Sequence, residues 1–156
     1  MPVERAVILT AEGKVELEQE LLMLRTVKRP AVAARIQELT MDGDVSDNSE
    51  YEDTKEELVL IEARMREIEN LLRHARIAEK NDSPDVAQFG SHVTLVDETG
   101  VEEAWTLVSQ EEANTLHGKI STKSPVGAAV LGKRVGDKVV VRAPGGESTF
   151  TVKLIE

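Results

Sequence analysis

Residues 49–72 read SEYEDTKEELVLIEARMREIENLL. Within them Leu58, Ile61, Met65, Ile68 and Leu72 recur at alternating spacings of three and four. That is a heptad seam: it puts the apolar side chains on one stripe of a helix and calls for a second helix packed along it. Ser49 and Glu52 stand three apart at its start, the pattern of a capping box. The Ser49 hydroxyl can accept from the backbone N–H of Glu52, whose carboxylate can reach back. The spacing therefore predicts a long helix capped by Ser49.

The partner helix lies upstream. After Val7-Ile8-Leu9, Thr10 can act as an N-cap. Apolar positions follow at Leu17, Leu21 and Leu24 and, less regularly, at Ala31, Ile36 and Leu39. Pro30 lacks a backbone donor and disfavours the α region at Arg29, so a kink or break is expected there. Gly43 ends this first arm. The residues from Gly43 to Asn48 are too few for anything but a tight connection, which makes the two arms antiparallel neighbours. Arms of about 25 to 30 residues at about 1.5 Å each span roughly 40 Å, so the expected shape is a rod with a tight tip.

The second half changes period. Asn81-Asp82-Ser83-Pro84 is a polar linker signal. Val93-Thr94-Leu95 and Trp105-Thr106-Leu107 flank Asp97-Glu98-Thr99-Gly100, which reads as a hairpin. Ser124 before Pro125 is an N-cap with proline at the first helical position, and Gly132 can close that short helix. Val139-Val140-Val141, Pro144-Gly145-Gly146 and Phe150-Thr151-Val152-Lys153-Leu154 read as strand, turn and strand. The class is α+β, with a helical coiled coil over residues 1–80, its tip near 42–50, and a β-rich domain over 81–156.

Composition narrows the function. The 156 residues include no cysteine, which excludes disulfides, thiolate metal sites and cysteine nucleophiles. No apolar run approaches the roughly 20 residues needed to cross a bilayer. The N-terminus has no signal-peptide apolar region, so a cytoplasmic location is expected. The formal charge of −10 is the wrong sign for a free-standing nucleic-acid binder. If the chain works near RNA, a protein partner brings it there. His74, His92 and His117 are dispersed without ligand spacing. Gly145-Gly146 is a turn rather than a phosphate loop, since no lysine, serine and helix follow it.

The densest chemistry is at the tip. Asp42, Asp44, Asp47, Glu50, Glu52, Asp53, Glu56 and Glu57 are opposed only by Lys55. Acids favour the first turn of a helix, which accounts for Glu50, Glu52 and Asp53 and can account for Asp47. It does not account for Asp44 beside Gly43. Clustered hard oxygens suit Mg²⁺, which binds through one or two carboxylates and keeps several waters. Asp44 and Asp47 are too few for a private site but enough to share an ion held elsewhere.

These residues carry a resemblance. Gly43-Asp44-Val45-Ser46-Asp47-Asn48-Ser49-Glu50-Tyr51, followed by Lys55-Glu56-Glu57, resembles the tip signature of the GreA/GreB family of bacterial transcript-cleavage factors, on its GreA side. Val27-Lys28-Arg29-Pro30 resembles the segment before the tip. Ser124-Pro125-Val126-Gly127, Leu131-Gly132-Lys133, Gly136-Asp137 and Pro144-Gly145-Gly146-Glu147 resemble the C-terminal signature.

The resemblance implies an N-terminal antiparallel coiled coil and a C-terminal domain of the FK506-binding-protein type. It also implies a role: a monomer that binds bacterial RNA polymerase, inserts its coil through the secondary channel and stimulates cleavage of backtracked RNA. The factor is then not itself an enzyme and has no cofactor of its own. Asp44 and Asp47 would be the catalytic and metal-sharing carboxylates, acting on Mg²⁺ supplied by the polymerase. Asp47 stands where the family usually has glutamate, which shortens its reach by about 1.5 Å. Lys55, Arg29, Arg35 and Tyr51 would contact the RNA 3′ end. Lys55 has a local alternative, an ion pair with Glu52 or Glu56. Ser46 replaces a position that is often basic in relatives.

Three rivals compete with this reading. A peptidyl-prolyl isomerase would need an aromatic-lined pocket, and the second half offers only Phe89, Trp105 and Phe150. A plain coiled-coil adaptor explains the seam but not the acid beside Gly43. A Gre-like paralogue with the same fold and an altered acidic tip would occupy the same channel and inhibit polymerase without stimulating cleavage, and Asp47 makes it the nearest rival.

Overall fold

The computed structural model describes residues 7–41, 43, 48–78 and 85–156. They fall into two compact units. One is Glu12–Ala75, and the other is Arg76–Glu156 together with the chain up to Ala11.

The first unit is a helical hairpin. Its first arm comprises α1 (Ala11–Met23), a π-helical turn (Leu24–Lys28) and α2 (Arg29–Thr40), and its second arm is α3 (Ser49–His74). The seam read from the sequence is its core. Ile61, Met65 and Ile68 are buried with Leu24 and Val32, and Leu17, Leu21, Ile36, Leu58 and Leu72 pack against them.

The first arm corrects two expectations. Of the kink or break expected at Pro30, the break is absent: Arg29 keeps α dihedrals (φ −60°, ψ −46°), and its N–H donates to the Leu24 carbonyl. That bond spans five residues, so the widened turn just before Pro30 carries the helix up to the residue that lacks a donor. The same turn holds one extra residue and advances the seam. After Leu24 the buried position is Val32, whereas Ala31 is exposed.

The cap of α3 is a third correction. Asn48, not Ser49, is the N-cap. It has an extended backbone (φ −92°, ψ 104°), and its side chain accepts from the Tyr51 N–H at 3.2 Å. Ser49 is already helical and exposed. Only the residue outside the helix can turn its side chain back onto the free N–H groups.

The second unit is built on a five-stranded sheet. Its strands are β3 (His92–Asp97), β4 (Glu102–Val108), β5 (Lys119–Ser121), β6 (Lys138–Ala143) and β7 (Gly146–Ile155), in the order β5-β4-β3-β7-β6. All pairs are antiparallel except β4 with β5. Val93, Leu95, Leu107, Ile120, Val130, Val139, Val141 and Val152 form its aliphatic core with Ala87. The β3–β4 turn is held by Asp97, whose carboxylate accepts from the Thr99 N–H, the Thr99 hydroxyl and the Val101 N–H at 2.8, 2.6 and 2.9 Å. The short helix α4 (Pro125–Val130) starts at Ser124, whose hydroxyl accepts from the Gly127 N–H at 3.1 Å. Two further short strands, β1 (Val7–Leu9) and β2 (Ala75–Ile77), pair with each other. No helix among the described residues is long and apolar enough to cross a membrane.

Candidate functional site

The tip end of the hairpin is described from the last turn of α2 and the first turns of α3. Asp42, Asp44, Val45, Ser46 and Asp47 lie outside the described residues, as does the linker at Asn81-Asp82-Ser83-Pro84. Gly43 has φ +106°, a conformation that glycine adopts without strain. Glu50, Glu52, Asp53, Glu56 and Glu57 are exposed along the start of α3. Among the described residues no three acidic or histidine side chains converge to hold a metal ion.

Two of the basic residues read from the sequence have defined partners here. Lys55 places its Nζ 4.9 Å from the centroid of the Tyr51 ring and 3.9 Å from a Glu52 carboxylate oxygen. The i, i+4 and i, i+3 spacings put these three groups on one face of α3. Arg35 reaches across the hairpin, donating from Nη2 to Glu50 and from Nη1 to Glu38 at 3.3 Å. The bond to Glu50, and then that to Glu38, holds the guanidinium above its ordinary pKa. Arg29 is exposed at the first position of α2.

Cross-arm ion pairs are the feature that sequence reading missed. Arg25 meets Glu69 at 2.9 Å, Arg64 meets Glu20 at 2.7 Å, and Arg35 meets Glu50. Each joins residues far apart in the chain, so only the register of the two arms reveals it. Elsewhere, Trp105 and Phe150 are half-buried and pack against the sheet core. His92 bonds Thr106 through Nδ1 at 2.7 Å.

Two family matches divide the chain between them. Residues 7–77 match the family described as "Transcription elongation factor, N-terminal", and residues 81–156 match "Transcription elongation factor, GreA/GreB, C-term". The chain belongs to the GreA/GreB family. Transcription elongation factor GreA of Geobacillus kaustophilus is 45% identical over 97% of this chain and 96% of its own length. GreA of Bacillus subtilis is 43% identical over 100% and 99%. Among solved structures, GreA factor homolog 1 of Thermus thermophilus is 38% identical, covers 97% of this chain and 99% of its own, and superposes with a TM-score of 0.46. As a GreA/GreB member the protein is a bacterial-type transcription elongation factor. Its tip signature runs directly into the described cap at Asn48 and the Tyr51–Lys55 pair.

Proposed function

We propose that this GreA/GreB member binds bacterial RNA polymerase through the secondary channel and stimulates the polymerase's own cleavage of backtracked nascent RNA. The observation that carries the reading is the end-to-end family match, together with a helical hairpin whose second arm opens in an acid-rich turn. Asp44 and Asp47 present hard oxygen donors, the chemistry that suits a Mg²⁺ already held in the polymerase active centre. Their task is to complete that ion's shell and orient the attacking water. Arg29, Lys55 and Tyr51 meet the RNA 3′ end, while Arg35 is engaged by Glu50 and Glu38. The sheet domain docks at the channel rim. The factor acts as a cytoplasmic monomer and has no nuclease activity of its own, because two carboxylates without a held metal do not build a two-metal site.

The test is a stalled, backtracked elongation complex with Mg²⁺. Adding the protein is expected to release short 3′ RNA fragments, and the protein alone is expected to release none. Binding without fragments would replace this reading with that of an inhibitory paralogue, the outcome that Asp47 in place of glutamate would then explain.

A further inference from the structure

The packing of the hairpin is uneven along its length. Leu24, Val32, Ile61, Met65 and Ile68 are buried in the seam. Toward the tip the apolar contact thins: Ile36, Leu39 and Leu58 are half-buried, and the buried residue nearest the tip on α3 is Thr54. The Thr54 hydroxyl is turned back onto the Glu50 carbonyl at 2.6 Å. Aliphatic interdigitation, which fixes the spacing of the arms at mid-length, is therefore weak where they end. At that point the structure supplies a charged link instead. Arg35, in the second turn from the end of α2, donates to Glu50 in the first turn of α3 and also to Glu38 on its own helix. A planar guanidinium held by two carboxylates fixes direction as well as distance.

We propose that Arg35 and Glu50 form a positioning clasp that sets the separation of Met41 and Asn48, the residues that adjoin Asp42 and Asp47 at the two ends of the acidic segment. This rests on the cleavage-stimulating reading. It gives Arg35 a role different from touching RNA, since its fork is committed across the arms. Glu50 gains a purpose beyond favourable charge at a helix start: it is the far anchor of the clasp. Because the pair is half exposed, its contribution to stability is small. Its contribution to geometry is larger, because reaction rate is sensitive to displacements of about 1 Å at the reacting groups.

The experiment measures cleavage at saturating factor across a Mg²⁺ titration, with polymerase binding followed separately by competition. Arg35→Ala and Glu50→Ala are each expected to slow saturated cleavage by about fivefold and to raise the Mg²⁺ concentration at half-maximal rate, with binding unchanged. The charge-reversed double variant Arg35→Glu with Glu50→Arg is expected to recover most of the rate, and Arg35→Lys part of it. If Glu50→Ala cleaves as fast as the parent, or the reversed pair is as slow as Arg35→Glu alone, Arg35 acts directly on RNA and the clasp is overturned.

A second readout does not depend on cleavage. The chain has no cysteine, so Gln37→Cys and Asp53→Cys carry spin labels, one on each arm. Their distance distribution is expected to broaden in Arg35→Ala and to narrow again in the reversed pair, and no broadening would overturn the clasp. A parent that binds polymerase and cleaves nothing would overturn the functional reading, and the spin-label distances would still decide the clasp.

Discussion

Arg64 on α3 holds Glu20 on α1 through two parallel hydrogen bonds, Nε to Oε1 at 2.7 Å and Nη2 to Oε2 at 2.8 Å. The pair lowers the Glu20 carboxyl below its ordinary value of 4.5, chiefly through the hydrogen bond from Arg64. The same contact raises Arg64. A carboxyl whose folded pKa is depressed adds stability above its unfolded pKa, and that stability is lost as pH falls through the folded value. The hairpin is therefore expected to weaken as pH drops below about 4.5. Glu20→Gln should flatten that part of the acid profile, and Arg64→Ala should cost about 1 kcal/mol at neutral pH. Thermal melts followed by helical circular dichroism between pH 3 and 7 check both. A parent and a Glu20→Gln profile that run parallel would count against the pair.

Gly127, in α4 of the sheet domain, has no room for a side chain. A Cβ there would lie 2.0 Å from the Ser121 carbonyl oxygen and 2.9 Å from its carbon, both backbone atoms. Ser121 cannot step aside cheaply, because its carbonyl also accepts from the Ser124 N–H at 3.0 Å and the Ser124 hydroxyl at 2.6 Å. Gly127→Ala is expected to destabilise the domain by about 3 kcal/mol, at the upper end for overpacking. Denaturant unfolding of the intact protein measures it, and a loss under 1 kcal/mol would mean that α4 moves freely.

The identity of the α3 cap can be tested by contrast. Asn48→Ala removes the acceptor for the Tyr51 N–H and is expected to cost about 1 kcal/mol. Ser49→Ala, inside the helix and exposed, should be near neutral, and Asn48→Ser should keep most of the stability. A larger loss from Ser49→Ala than from Asn48→Ala would restore the capping box that the sequence suggests.

Legibility followed the range of the interactions. The α3 seam was visible because periodicity is local, and the strands around Val93 and Val139 for the same reason. Val32 was hidden because one widened turn before Pro30 shifts the phase of everything after Leu24, and no residue type announces such a turn. Asn48 and Ser49 both satisfy a capping pattern, so the choice depended on which residue the helix leaves outside. At the tip, Lys55 with Glu52 and Tyr51 follows from helical spacing alone. The partner of Arg35 sits fifteen residues away on the other arm, which only the register of the hairpin brings into reach.

The tip carboxylates carry the most direct test of function. Asp44 and Asp47 are proposed to act on a Mg²⁺ and a water only inside the polymerase, so their loss should be felt in the transition state and not in binding. Asp44→Ala and Asp47→Ala are each expected to reduce stimulated cleavage by about a hundredfold, as for removal of an interaction made mainly in the transition state. Neither should unfold the hairpin, since the buried seam of Ile61, Met65 and Ile68 lies away from the tip. Both variants should therefore compete with the parent for polymerase. Asp47→Glu adds the methylene that relatives have and should cleave at least as fast as the parent. Saturating cleavage assays on backtracked complexes, with competition binding alongside, separate the cases. If the parent binds without cleaving and Asp47→Glu switches cleavage on, the protein is an inhibitor held back by one methylene. If Asp44→Ala cleaves like the parent, the tip acids are helix-start charge and the catalytic assignment falls.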